Sequence, residues 1–366
     1  MSLAIGSYEK LRDLSDGSDL LNLAWTQDEG DLLSVDVMAA VSAELAAEVA
    51  EGLPYVRDYL VKDPYGEALL GPAVGEFFDA PGRPVSVTCG AGVGPLLHGL
   101  SLLAAGGTVE VVTDVYPDYP HWVARAKGRC VPYGSGPRGD VLLLERPALA
   151  DERFAGLDAV RELCAVAAHR GAVVVVDESN ANYCPPDFSA ANLAPEVPNL
   201  IVVRGLSKAY GLGGLRLGYC VASAPMAGRV REAVSPLGPS SLSLRIARRI
   251  LRLGDITADL RAAIARTKPY VRDLLTEAGL PDPVPAARGL PYLLFPHDPH
   301  RAVELLAERG IQAKVQPVWS TSAGTLTEVG RLSVPLREDR LHELHTRLGR
   351  TPHCAKVVDA TTSPAP

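Results

Sequence analysis

The chain carries no cysteine pair at metal-ligand spacing. Its six cysteines (Cys89, Cys130, Cys164, Cys184, Cys220 and Cys354) are scattered, and none forms C-x-x-C. That argues against a zinc framework and against a disulfide scaffold. Positive charge is not in excess: 36 Lys and Arg against 43 Asp and Glu leave a net charge of −7, which gives no support to nucleic-acid binding. No apolar run approaches a membrane span. The first residues, MSLAIGSYEKLRDLSDGSD, include acidic side chains and no apolar core of signal-peptide length. The expected location is therefore a reducing cytoplasm. No membrane, nucleic acid or metal is expected as a partner, and no internal repeat is visible.

What the chain does have is length and alternation. Its 366 residues suffice for two or more domains. Helical spacing over 35–51 stops before Gly52 and Pro54. Residues 55–71 read as irregular, with a turn at Asp63-Pro64-Tyr65-Gly66. From Val85 the pattern becomes strand and helix in turn. Strands are expected at 85–88, 109–112, 141–144, 173–176 and 200–203, with helices at 96–105, 121–127 and 157–169. Such alternation predicts an α/β fold with a mostly parallel sheet covered on both faces. Beyond the break at 236–239, helices at 242–253 and 256–278 precede a smaller α+β pattern. The expected division is 1–54 (an N-terminal arm and part of the small domain), 55–245 (large domain) and 246–352 (small domain). A Thr-, Ser- and Pro-rich tail over 353–366 is expected to be disordered.

One stretch points to chemistry. Leu200-Ile201-Val202-Val203 reads as a buried strand, and Leu217-Gly218-Tyr219-Cys220-Val221-Ala222 as another. Between them lie Ser207, Lys208, a glycine-rich segment and Arg216. A lysine between buried strands is costly as an ammonium, whereas a desolvated amine can attack a carbonyl and form a Schiff base. Taken alone, Lys208 is more simply a surface-loop residue. The segment 207–219, SKAYGLGGLRLGY, closely resembles the lysine motif of the pyridoxal-phosphate (PLP) aminotransferase superfamily of fold type I, class I/II, in its histidinol-phosphate aminotransferase-like branch.

The resemblance implies a set of roles. Lys208 holds the cofactor as an internal aldimine, and Asp177, closing the run Val173-Val174-Val175-Val176, pairs with the pyridine nitrogen. Gly90, Ala91 and Gly92, with Ser207 and Arg216, cup the phosphate. A dinucleotide reading of Gly90-Ala91-Gly92-Val93-Gly94 fails because Pro95 stands where a third glycine is needed. Tyr119 stacks on the ring, with Tyr116 and Trp122 as rivals. Arg331 clamps the substrate carboxylate, with Arg337 as the weaker rival. Tyr59 or Tyr65 crosses to a partner subunit, which implies a homodimer.

Two departures touch the cofactor's phenolic oxygen. The family's Asn-Pro-Thr-Gly segment is replaced by Glu145-Arg146-Pro147-Ala148, and no asparagine occurs between Val141 and Asp177. Its tyrosine three positions after the aspartate is Asn180, expected to take over that contact. The expected function is an aminotransferase-like enzyme acting on an amino acid or amine. Alternatives are a lyase or cyclase (decarboxylation, elimination or ring formation) on the same fold, and a non-catalytic regulator.

Overall fold

Runs of valine and leucine with no polar alternation can only be satisfied by burial on both faces of a sheet. In the computed structural model, which describes residues 20–54, 62–78, 85–287 and 289–349, they are so placed. In chain order the strands are β1 (Leu21–Asn22), β2 (Val85–Gly90), β3 (Thr108–Val111), β4 (Arg129–Pro132), β5 (Val141–Glu145), β6 (Val173–Asp177) and β7 (Leu200–Gly205). There follow β8 (Gly218–Ser223), β9 (Val284–Pro285), β10 (Tyr292–Phe295), β11 (Ile311–Gln312), β12 (Lys314–Ser320) and β13 (Thr325–Ser333).

The large sheet has seven strands in the order β2-β8-β7-β6-β5-β3-β4. Strand β8 runs antiparallel to both neighbours, and the other pairs are parallel. Alternation along each strand sorts its side chains between two cores. Leu142, Leu144, Val174, Val176 and Val202 enter one, under helices Glu67–Phe77, Leu157–Ala168 and Ser241–Leu251. Val141, Leu143, Val173, Val175, Ile201 and Val203 enter the other, under helices Val93–Leu100 and Asp118–Arg125. Each such fully buried aliphatic side chain contributes roughly 1.5–3 kcal/mol. The same parity sends Glu145 and Asp177, which face each other in register across β5 and β6, toward the second face.

A four-stranded antiparallel sheet, β12-β13-β10-β9, carries its own core with helices Pro299–Ala307 and Glu338–Arg347. Strand β1 pairs parallel with β11, joining the start of the described chain to its far end. The two sheets meet where the Thr321 amide and hydroxyl donate to Asp114 Oδ1, at 2.7 and 2.8 Å. Val115 also bridges Trp319 there. Helix Ala258–Glu277 is 20 residues long. Among the described residues, no helix is long and apolar enough to cross a membrane.

Three elements differ from the sequence reading. Helix Glu67–Phe77 occupies part of a stretch expected to be irregular. It forms despite Pro72, and it buries Leu70, Ala73 and Val74. Strand β4 and helix Ala227–Ala233 were not expected; both are short and lack a clear periodic pattern.

Candidate active site

A cavity of about 400 Å³ opens at the C-terminal ends of β5, β6 and β7, the place where α/β sheets put their ligands. Asp177, Asn180, Ser207, Lys208, Arg216 and Arg331 all line it. These residues span 155 positions of sequence, and only the parallel crossovers and the second sheet bring them together.

Asp177 is the last residue of β6, and Ser179 N–H donates to its Oδ1 at 2.9 Å. Burial pushes its carboxyl up to about 6, against the Ser179 hydrogen bonds. Lys208 sits just past β7, in a loop held by Asn182. The Asn182 amide donates to the carbonyls of Gly205 at 2.6 Å and Lys208 at 3.3 Å. Its oxygen accepts Arg204 Nη2 at 2.8 Å. Ala209 takes φ +62°, which turns the chain sharply after the lysine.

Arg216 lies beside the turn that starts helix Val93–Leu100. A Cβ on Gly92 (φ +110°) would meet an Arg216 guanidinium nitrogen at 2.8 Å, and one on Gly218 would meet the Gly92 and Val93 backbone at 2.7 Å. The missing side chains thus make a cradle of backbone amides and guanidinium suited to an anion. Val93 and Gly94 line the cavity. Of the residues expected to form the cup, Gly90, Ala91 and Gly92 make the turn behind them. A Cβ on Gly90 would strike the Leu96 side chain at 2.6 Å.

Arg331 belongs to the second sheet. It lies near the end of β13. Its guanidinium sits 4.2 Å from the Tyr292 ring centroid, and its Nη2 donates to the Ala24 carbonyl at 3.3 Å. Among the described residues, its buried Nε has no hydrogen-bond partner. A buried guanidinium edge left open is a ready carboxylate receptor.

The placement of Tyr119 corrects the sequence reading. It shares the inner face of helix Asp118–Arg125 with Val123, four positions on, so its ring is in the core at 1% exposure, edge-on to Trp122. Tyr116, just before the helix, lines the cavity instead, and its hydroxyl donates to Asp118 Oδ2 at 2.8 Å. Tyr65 donates to the Arg231 carbonyl at 3.1 Å within its own chain. Tyr59 lies outside the described residues. Arg337 is engaged with Asp339 and Asp31, away from the cavity.

Two lining residues escaped the sequence reading. Glu145 ends β5 as Asp177 ends β6, so a carboxylate closing an apolar strand was a legible signal in both. One of its oxygens accepts the Tyr116 N–H at 3.1 Å. Burial, and next the Asp177 charge, push its carboxyl well above the usual range, with Lys208 opposing. Lys314 pairs in register with Arg331 across β12 and β13. Burial, then the charges of Arg331 and Lys208, push its amine down to about 6. Nothing in Ala313-Lys314-Val315-Gln316 announces it.

The sequence profile described as "Aminotransferase class I and II" matches residues 63–348. This chain belongs to the class I and II aminotransferase family. Within the family, histidinol-phosphate aminotransferase of Paracoccus denitrificans is 25% identical over 214 residues, covering 54% of this chain and 58% of that one. Histidinol-phosphate aminotransferase 2 of Archaeoglobus fulgidus is 29% identical over 204 residues, covering 55% and 57%. The chain thus aligns with little more than half the length of these curated relatives. The structure of histidinol-phosphate aminotransferase from Sinorhizobium meliloti, in complex with pyridoxal 5'-phosphate, superposes with a TM-score of 0.68 at 20% identity, over 95% of this chain and 94% of that one. That likeness establishes the fold, fold type I.

The residues present fit pyridoxal 5'-phosphate. A phosphate suits the glycine and Arg216 cradle, a cationic ring nitrogen suits buried Asp177, and an aldehyde suits the Lys208 amine.

Proposed function

We propose that this chain is a pyridoxal-phosphate-dependent aminotransferase that takes the amino group of an amino acid. The observation that carries this reading is the convergence of Lys208, Asp177 and Arg331 on one cavity. When bound, the cofactor supplies an aldehyde that condenses with amines and a ring that draws electrons from the substrate Cα. Arg331 holds the substrate carboxylate through its open guanidinium edge and so orients the Cα–H bond. Lys208 Nζ, once free, would take the Cα proton and return it on the far side of the amino nitrogen, two atoms away. Asp177 holds the ring-nitrogen proton. Ser207, Arg216 and the amides of Val93 and Gly94 fix the phosphate, and Asn180 and Tyr116 bear on the ring. Histidinol phosphate, named in the relatives, belongs among the first amino donors to try.

The proposed active unit is a cytoplasmic homodimer. Met38, Leu45, Val49 and Leu53 follow one another at helical spacing along Val37–Ala50 and just beyond. They are exposed by 62%, 38%, 64% and 37%, an apolar stripe suited to a second copy. Five described cysteines are free thiols, in keeping with a reducing compartment. The division at residues 54 and 245 is retained as the proposed boundary of the large domain.

The test is a donor screen on the purified, cofactor-saturated chain, read by cofactor absorbance and product mass. A keto acid together with the amine form of the cofactor is expected. Carbon dioxide, ammonia or a ring product with the cofactor unchanged would replace transamination by the lyase or cyclase reading. Borohydride should fix a pyridoxyl group on Lys208; no cofactor uptake would sink the whole reading.

A further inference from the structure

Glu145 is in a position that a spectator would rarely occupy. Strands β5 and β6 are parallel and in register, so Glu145 and Asp177 end them side by side on one sheet face. Both line the cavity that holds Lys208. Two carboxylates this close inside a protein cannot both ionise at little cost, because each charge raises the energy of the other. The groups that act on Glu145 are Asp177 on β6, Lys208 beyond β7, and Asp114 and Tyr116 beyond β3. Lys314 and Arg331 line the same cavity, and Glu145 also borders a second cavity with Asp151, Glu152 and Arg261. Among the described residues, the Tyr116 N–H is the hydrogen bond made to its carboxyl. That bond occupies Oε2, so a proton on this carboxyl sits on Oε1.

We propose that Glu145 and Asp177 hold one proton between them, and that Glu145 keeps it and donates it as a hydrogen bond to the ring oxygen of the bound cofactor. The inference rests on the pyridoxal-phosphate reading above. Its logic lies in the division of labour between the two carboxyls. A cationic ring nitrogen on Asp177 favours the ionised form there, which assigns the shared proton to Glu145. A carboxyl kept neutral by its surroundings is a hydrogen-bond donor, which an ionised one cannot be. The ring oxygen lies next to the aldehyde carbon that Lys208 must reach. A donor at that oxygen therefore sets how readily the Lys208-bound form gives up its proton. Burial and the Asp177 charge both favour the acid form of Glu145. The chain lacks an asparagine between Val141 and Asp177, and Asn180, which also lines the cavity, is another amide donor there.

Two measurements test this. The first is made on the cofactor-free chain. Infrared difference spectra at neutral pH should show a carboxylic-acid carbonyl band that is absent from Glu145→Gln; no such band in the wild type overturns the proposal. The second is a pH titration of the absorbance band of the bound cofactor. Glu145→Ala should raise its apparent pKa by about 1–2 units, the shift equivalent to losing one charge-assisted hydrogen bond. Glu145→Gln, whose amide still donates, should stay close to wild type. A wild-type and Glu145→Ala pair that titrate alike overturns the proposal while leaving the cofactor reading intact. A wild-type chain that takes up no cofactor overturns both, and should Glu145→Ala fail to fold, the infrared comparison with Glu145→Gln decides the matter.

Discussion

Asp177 and Glu178 are consecutive carboxylates, and the sheet sends them to opposite faces. Glu178 is fully buried and saturated. It accepts Arg146 Nη1 at 3.0 Å, Arg204 Nη1 at 2.7 Å, Ala190 N–H at 2.7 Å and the Ser189 hydroxyl. Arg146 in turn donates to the carbonyls of Phe154 at 2.7 Å and Ala155 at 2.6 Å, and to that of Phe188. The network closes on itself, so its charges have geometry but no freedom. On the other face Asp177, Glu145, Lys208, Lys314 and Arg331 line a void with few bonds among them. Their titratable groups have few partners within the protein. Buried charge that is paired specifies structure, and buried charge that is left short of partners is available for chemistry.

The sharpest way to break this contrast is Lys208→Ala. On the open face it should lower kcat/KM by at least about 10³-fold, the scale of a lost general base. The melting temperature should stay near wild type; equal losses of activity and stability would erase the distinction. Glu178→Ala should do the reverse. It strands Arg146 and Arg204, so denaturant unfolding should show a loss of roughly 3–5 kcal/mol. The fraction still folded should keep its cofactor. Next comes Arg331→Ala, which should weaken substrate binding by roughly 10–100-fold, equivalent to losing about 1.5–3 kcal/mol of charged hydrogen bonding. The cofactor spectrum should be unchanged, and unaltered kinetics would remove Arg331 from the site.

Two smaller effects depend on pH. The Asp177 carboxyl is raised from its ordinary 3.8 to about 6 in the folded chain. The folded form therefore binds that proton more tightly than the unfolded form. Its stabilising contribution is present below the unfolded value and is lost as pH rises through about 6. The cofactor-free chain should lose about 3 kcal/mol across that window. Urea midpoints would check this, and Asp177→Asn should flatten the curve. For Lys314, burial and neighbouring cations leave the amine largely neutral at pH 7, since its value is about 6. A dicarboxylate ligand, if seated on Arg331, should return the proton to Lys314. Affinity should then fall by up to about tenfold per unit as pH rises above that value. Titration calorimetry would show this, with the slope lost in Lys314→Met.

Much of the large sheet was legible because its code is local. Val173 to Val176 are apolar on both faces and close with a carboxylate. The glycines around Lys208 and Arg216 mark a tight turn. That Asp177, Lys208 and Arg216 share one cavity was implied by the resemblance of 207–219 to the lysine motif and not by this local code. Less legible was whatever depends on the direction of a side chain within a turn. Tyr116 and Tyr119 differ only in whether the helix has started, and a shift of two or three residues in that start exchanges their surroundings. Lys314 enters the cavity because β12 pairs with β13 in one register. That register is set by the second sheet's packing and not by the tetrapeptide around the lysine. The Arg146–Glu178–Arg204 network was invisible for the same reason: each arginine reads as a solvent-exposed charge until the sheet joins them.

The contact between Arg331 Nη2 and the Ala24 carbonyl joins groups 307 positions apart. At a synthesis rate of about 5–20 residues per second, Ala24 emerges roughly 15–60 s before its partner exists. During that interval the large sheet, all of whose strands end by Ser223, can already be made. A nascent chain thus completes the strands that carry Asp177, Lys208 and the turn at Gly92 and Arg216 before Arg331 exists. In the proposed function, the residues that hold the cofactor are therefore synthesised before the one that holds the substrate.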